Sequence, residues 1–169
     1  VLANFPVEWE GRPENPTLCV IGCPHNTYLE ILTWGKSVTE AVEKRGLENP
    51  VSKPFDEFEA DLNDLGKDDV PYMFWTATCW GSWIRLSLGS MAAVAELPRV
   101  EALMKRVLVL DEDFYFGGPH LFMGIWFASR PKIAGGDLTR AQHHFQKALA
   151  FSQSKFLMTK VYYADQYAR

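Results

Sequence analysis

Apolar residues in this chain recur at the three- and four-residue spacing of a helix face, and glycine or proline separates one such segment from the next. Asn26 is placed to cap a helix running to Arg45, with Tyr28, Ile31, Trp34, Val38, Ala41 and Val42 on one stripe and Gly46 as the stop. A shorter helix follows, with Pro54 in its first turn and Phe55, Phe58, Leu62 and Leu65 on one face, ending at Gly66. Asp68 or Asp69 caps the next, which takes Pro71 in its first turn and runs to about Leu88. It is apolar nearly all round, with Tyr72, Trp75, Cys79, Trp83 and Leu86 on one side and Met73, Ala77, Trp80, Ile84 and Leu88 on another. Such a helix needs cover on two sides and is expected at the centre.

After Gly89 a short turn leads to Pro98 and a helix ending near Asp111, with Val100, Leu103, Met104, Val107 and Leu110 inward. Pro119 then opens a strongly apolar helix over His120 to Ser129. A loop around Gly135 and Gly136 follows, and Asp137 caps a helix to about Ser152. The last helical stretch begins at Phe156. Residues 1–25, with Pro6, Pro13, Pro16 and Pro24, lack periodicity and are expected to be irregular or the remnant of an earlier helix pair.

Two helix pairs superpose as a repeat. Gly81 and Gly124 are 43 residues apart, Val100 and Ala141 are 41 apart, and the stripe Val100, Met104, Val107 returns as Ala141, Phe145, Ala148. A small-large-small stripe lets a second helix nest against its own partner and against the next pair. The expected fold is therefore all-α, with tetratricopeptide-like antiparallel helix pairs stacked as a short right-handed superhelix over residues 26–169. The period exceeds the usual tetratricopeptide length because loops such as Gly89 to Leu97 and Pro131 to Gly136 are long, and loop insertions cost little.

Composition narrows the partners. Aromatic residues make up 14% of the 169 positions and charged residues 22%, a balance that belongs to large packed surfaces. The net charge of -4, with lysine and arginine scattered, gives no basic stripe for nucleic acid or an anionic membrane. Cys19, Cys23 and Cys79 are an odd set that makes no disulfide framework. No apolar run reaches membrane-spanning length.

Candidate chemistry is sparse. Cys19, Cys23 and His25 form a C-x3-C-x-H cluster without an evident fourth ligand, so no metal site is assigned and no cofactor is expected. Val20 to Cys23 match the end of a lipoprotein cleavage box, but the residues before them are too polar. His143 and His144, adjacent on a helix, point about 100° apart and read as a solvated face. His120 could serve as a general base but has no partner at a motif spacing, which favours capping or packing. Asp111, Glu112 and Asp113 suit a polar turn better than half a calcium loop, and Gly117, Gly118, Gly135 and Gly136 read as turn glycines. The concentration of Phe74, Trp75, Trp80, Trp83, Phe122, Trp126 and Phe127 on two first helices is more informative. Packing accounts for most of these rings, and some could line an apolar cavity or a peptide groove.

The order of features resembles one family. DDVPYMFWTATCWGSW, ELPRVEALMKRVLVLDEDF, FYFGGPHLFMGIWFASRP and GGDLTRAQHHFQKALAF, over about residues 68–165, are similar to the T-component of TRAP (tripartite ATP-independent periplasmic) transporters. The resemblance is weaker back to Asn26 and is not seen in residues 1–25. It implies a non-enzymatic periplasmic protein, made as a membrane-anchored lipoprotein in a longer precursor, of which this chain is a truncated part. It also implies docking to the substrate-binding P-component and an apolar cavity or channel for a small hydrophobic or organic-acid ligand, and it permits a homo-oligomer. Helix placement nominates Trp75, Trp83, Phe122 and Trp126 as lining, with His120 and Arg130 as polar groups near its mouth. A protein-binding tetratricopeptide scaffold without a small ligand is the competing expectation.

Overall fold

The computed structural model describes residues 53–87, 90–153 and 155–166. The segment 1–25, the helix expected over 26–45, and Cys19, Cys23 and His25 lie outside these. Among the described residues the chain is all-helical, with no strand. The helices are α1 (Phe55–Asp64), α2 (Val70–Leu86), α3 (Met91–Ala95), α4 (Leu97–Leu110), α5 (Phe114–Ala128), α6 (Leu138–Phe151) and α7 (Leu157–Gln166).

Local chemistry explains most of the boundaries. Pro54 precedes α1, Pro71 and Pro98 stand in the first turns of α2 and α4, and a missing N–H costs nothing there. The Asp137 carboxylate accepts from the N–H groups of Thr139 and Arg140 and starts α6 as expected. Asp69 acts differently from a simple cap: its carboxylate reaches back to accept from the Gly66 N–H at 2.9 Å. The stretch expected as a turn before Pro98 contains α3, which begins where the Ser90 hydroxyl accepts from the Ala93 N–H. Five residues with an Ala-rich core were too few to show a period.

Contacts fix the directions of the helices. Lys67 pairs with Asp111 and Gly81 lies against Val100, so α2 and α4 are antiparallel. Gly124 lies against Phe145, and Gly117 against Ala148 and Phe151, so α5 and α6 are antiparallel as well. Across the pairs the sense is reversed. Phe74 meets Phe114 while Gly81 meets Phe122, which makes α2 and α5 parallel. Arg99 stacks on Phe58 near the start of α1 while Arg106 donates to the carbonyls of Asn63 and Leu65 at its end, which makes α1 and α4 parallel. Arg106 thereby satisfies carbonyls that the end of α1 leaves open.

The core runs between these helices and is filled by the inner faces read from the sequence. Val100, Leu103, Met104 and Val107 of α4 and Ala141, Phe145 and Ala148 of α6 are all at 0% exposure. Met73, Ala77 and Ile84 of α2 are buried with them, Trp80 is half-buried, and Leu86 is exposed. Phe145 can be fully enclosed because α5 has no side chain at Gly124, where a Cβ would stand 3.0 Å from the ring.

The entry to α5 departs from expectation. Tyr115, Phe116 and Gly117 have φ of 49°, 62° and 75°, a left-handed turn between Phe114 and the regular helix that Pro119 begins. The two aromatic residues carry a cost of about 1–2 kcal/mol each in that conformation. Gly117 avoids it, and its missing side chain leaves room for Phe151 and the Ala148 backbone at about 3 Å. Aromatic packing offsets the cost. Tyr115 meets Trp75 at 5.2 Å and Phe156 at 5.8 Å, and Phe116 stacks on Phe156 at 5.5 Å, each contact worth about 0.5–1.5 kcal/mol.

Candidate functional site

The six residues nominated from the sequence fall into separate places. Phe122, Trp126 and Arg130 follow one another at four-residue intervals on and just beyond α5, so they share one face. Phe122 and Trp126 stack at 5.6 Å, and the Arg130 guanidinium lies 4.3 Å from the centre of the Trp126 ring, while its Nε donates to the Trp126 carbonyl. Gly81 of α2 makes room for Phe122 by presenting no Cβ to a ring that would stand 3.3 Å away.

Glu101 of α4, not singled out from the sequence, organises this stripe. Its carboxylate accepts from the Trp126 indole Nε1 at 3.1 Å and from Lys105 at 2.9 Å, and pairs with Arg130 at 3.7 Å. Burial alone would raise its pKa. The hydrogen bonds from Lys105 and Trp126 and the charges of Lys105 and Arg130 outweigh that and hold it below the ordinary carboxylate value. Two cations thus converge on one anion beside two stacked rings. Trp126 itself is 8% exposed, and Phe122 and Arg130 are half-buried beside it. The sequence signal for Glu101 was available only as its three-residue offset from Pro98, and nothing local marks a partner 25 residues away in the chain.

Trp83, on α2, is half-buried against the core. Trp75, about 12 Å back along the same helix, belongs to a different cluster, with Phe74 at 5.0 Å and Tyr115 at 5.2 Å. His120 faces α6, away from Phe122. Its Nδ1 is 2.8 Å from Nδ1 of His144 and its Nε2 is 3.1 Å from the Glu112 carboxylate, which also accepts from Lys147 at 2.9 Å. The bonds from Lys147 and then His120 keep Glu112 below its ordinary value. His120 is 4% exposed, in keeping with the packing role expected for it.

The solvated face expected for the neighbouring histidines holds for one of them. His143 is exposed, whereas His144 is half-buried, with its ring stacked on Phe127. The 100° step between consecutive helical residues divides the two. Of the acidic triplet, Asp111 binds Lys67 and Glu112 binds His120 and Lys147, so the turn is polar as expected. Among the described residues, no group of three or more potential ligands could hold a metal.

Among curated proteins, none matches this chain. The sequence pattern of one family, described as TRAP transporter T-component, matches residues 26–169 and so spans most of the chain. On that match, the chain belongs to the TRAP transporter T-component family.

Proposed function

We propose that this chain is a non-enzymatic accessory component of a TRAP transport system, one that binds or channels a small hydrophobic or organic-acid ligand and docks the substrate-binding P-component. The family is one of transport accessories, which supports the general role. The observation that carries the ligand reading is the Phe122–Trp126–Arg130 stripe with Glu101 and Lys105 at its polar end. Rings for an apolar body and cations for an acid group stand side by side, a pairing that suits a small amphipathic anion. His120 is engaged with His144 and Glu112, which leaves it no catalytic role in this reading.

Antiparallel pairs whose first helices run parallel, and whose second helices do the same, support the tetratricopeptide-like superhelix expected for residues 26–169. The same reading places the protein in the periplasm, anchored as a lipoprotein in its full precursor. No helix among the described residues is long and apolar enough to cross a membrane. The second reading is a protein-binding scaffold without a small ligand. It is favoured by the exposed Phe116, Leu157 and Val161, which lie on α5 and α7.

The test of the transport role is association of the full chain with the P-component of the same transporter, measured by sedimentation at micromolar concentrations. A stable complex is the expected result. Failure to form one, with and without the transporter's substrate, overturns the docking half of the proposal.

A further inference from the structure

We propose that His120 and His144 form a one-proton lock on the α5–α6 pair, whose contribution to stability is lost in acid. This rests on the geometry of the two rings and is independent of the transport reading. The Glu112 carboxylate accepts a hydrogen bond, so Nε2 of His120 carries the proton of the 3.1 Å contact. Nδ1 of a neutral His120 is then a lone pair, and Nδ1–H of His144 donates to it across 2.8 Å. One added proton, taken up at Nε2 of His144 while its Nδ1 proton crosses to Nδ1 of His120, reverses this bond without breaking it. His120, now charged and facing Glu112, donates through Nδ1 to a neutral His144. A second proton would place N–H groups on both facing nitrogens, which no hydrogen bond at 2.8 Å accommodates, and one ring must leave.

The surroundings oppose the second proton. Facing the rings from α6 are Arg140, His143 and Lys147, and from the turn before α5, Glu112. At this end of α5, the contacts from α2 and α7 are the aromatic rings of Phe74, Trp75 and Phe156, and the Glu101 carboxylate of α4 is engaged by Trp126, Lys105 and Arg130. Burial, and then the charges of His120, His143, Arg140 and Lys147, hold the His144 pKa down to about 4. Burial also lowers His120, against the pull of Glu112.

Both pKa values are therefore below that of a free histidine. The unfolded chain takes up protons that the folded pair refuses, so the lock's stability is fully present above about pH 6.5 and is lost as pH falls toward the folded values. The structure shows where release would be felt. His120 stacks on Phe151 at 5.7 Å, and Phe151 packs on Gly117, the last residue of the left-handed turn. The Glu112–His120 bond closes the chain around that turn, so parting the rings loosens the seat of Tyr115 and Phe116 along with the α5–α6 contact.

The test compares the full chain with His144→Asn, whose amide can serve Nδ1 of His120 in either state. Between pH 6.5 and 5, above the range in which most carboxylates titrate, the unfolding constant of the parent should rise on the order of tenfold. The variant should change by about twofold over the same range. Equal pH dependence in both overturns the lock. Should the variant fail to fold, nuclear magnetic resonance titration of the parent's imidazoles decides. Two linked steps for His120 and His144, both displaced to acid, are expected, and independent titration of either ring at the free value overturns the proposal.

Discussion

The pairs α2–α4 and α5–α6 share a plan and differ in what lies between their helices. Each first helix carries a glycine where a ring must approach, Gly81 for Phe122 and Gly124 for Phe145, and each second helix presents a buried stripe, Val100–Met104–Val107 or Ala141–Phe145–Ala148. On α2 and α4 the buried side chains are apolar apart from the Thr76 hydroxyl and the Cys79 thiol, and the ion pairs Lys67–Asp111, Arg99–Glu96 and those of Glu101 are only partly buried. Between α5 and α6 two imidazoles meet, His120 buried and His144 half-buried. The comparison teaches that one packing geometry can be closed either by apolar contact alone, which is indifferent to pH, or by contact plus a buried polar bond, which is not.

Several substitutions would break or sharpen this contrast. The largest effect belongs to the ring at each glycine. Phe145→Ala, at a site with 0% exposure, should cost about 3–5 kcal/mol in denaturant unfolding, and Phe122→Ala, half-buried, less than half of that. Equal losses would mean that the α2–α5 contact at Gly81 is packed as tightly as the α5–α6 contact at Gly124. Next come the glycines themselves. Gly124→Ala drives a methyl group to 3.0 Å from an enclosed ring and should destabilise by about 1–3 kcal/mol. Gly81→Ala meets a ring at 3.3 Å that has room to yield, and should cost under about 1 kcal/mol. Thermal melts of the two variants should rank them in that order. The smallest effect concerns helix starts. Asp137→Ala removes two cap bonds and should cost about 1 kcal/mol, against a few tenths for Ser90→Ala, whose single bond is 3.4 Å long.

How far the sequence carried varies along the chain for physical reasons. Long amphipathic helices bounded by proline, glycine or a capping aspartate were legible, as in α1, α2, α4 and α6, because period and punctuation agree there. α3 was not, since five residues complete too little of a turn pattern. The left-handed turn at Tyr115 and Phe116 was hidden because bulky aromatic residues carry no local signal for positive φ, and only tertiary ring contacts hold them there. The site divides in the same way. Phe122, Trp126 and Arg130 could be grouped from helical spacing, while Glu101, Glu112 and His144 join through contacts between helices that spacing does not encode. Trp75 and His120 lie on the helices assigned to them but face other neighbours, a matter of rotation about each axis.

The stripe on α5 is the part of the account that bears most on function, and native mass spectrometry of the protein as purified tests it most directly. The expected result is a co-purifying small molecule on the parent protein that is lost from Phe122→Ala and retained by Thr139→Ala on the exposed face of α6. A parent protein that carries no bound molecule, and takes up none when incubated with the transporter's own substrate, would contradict it.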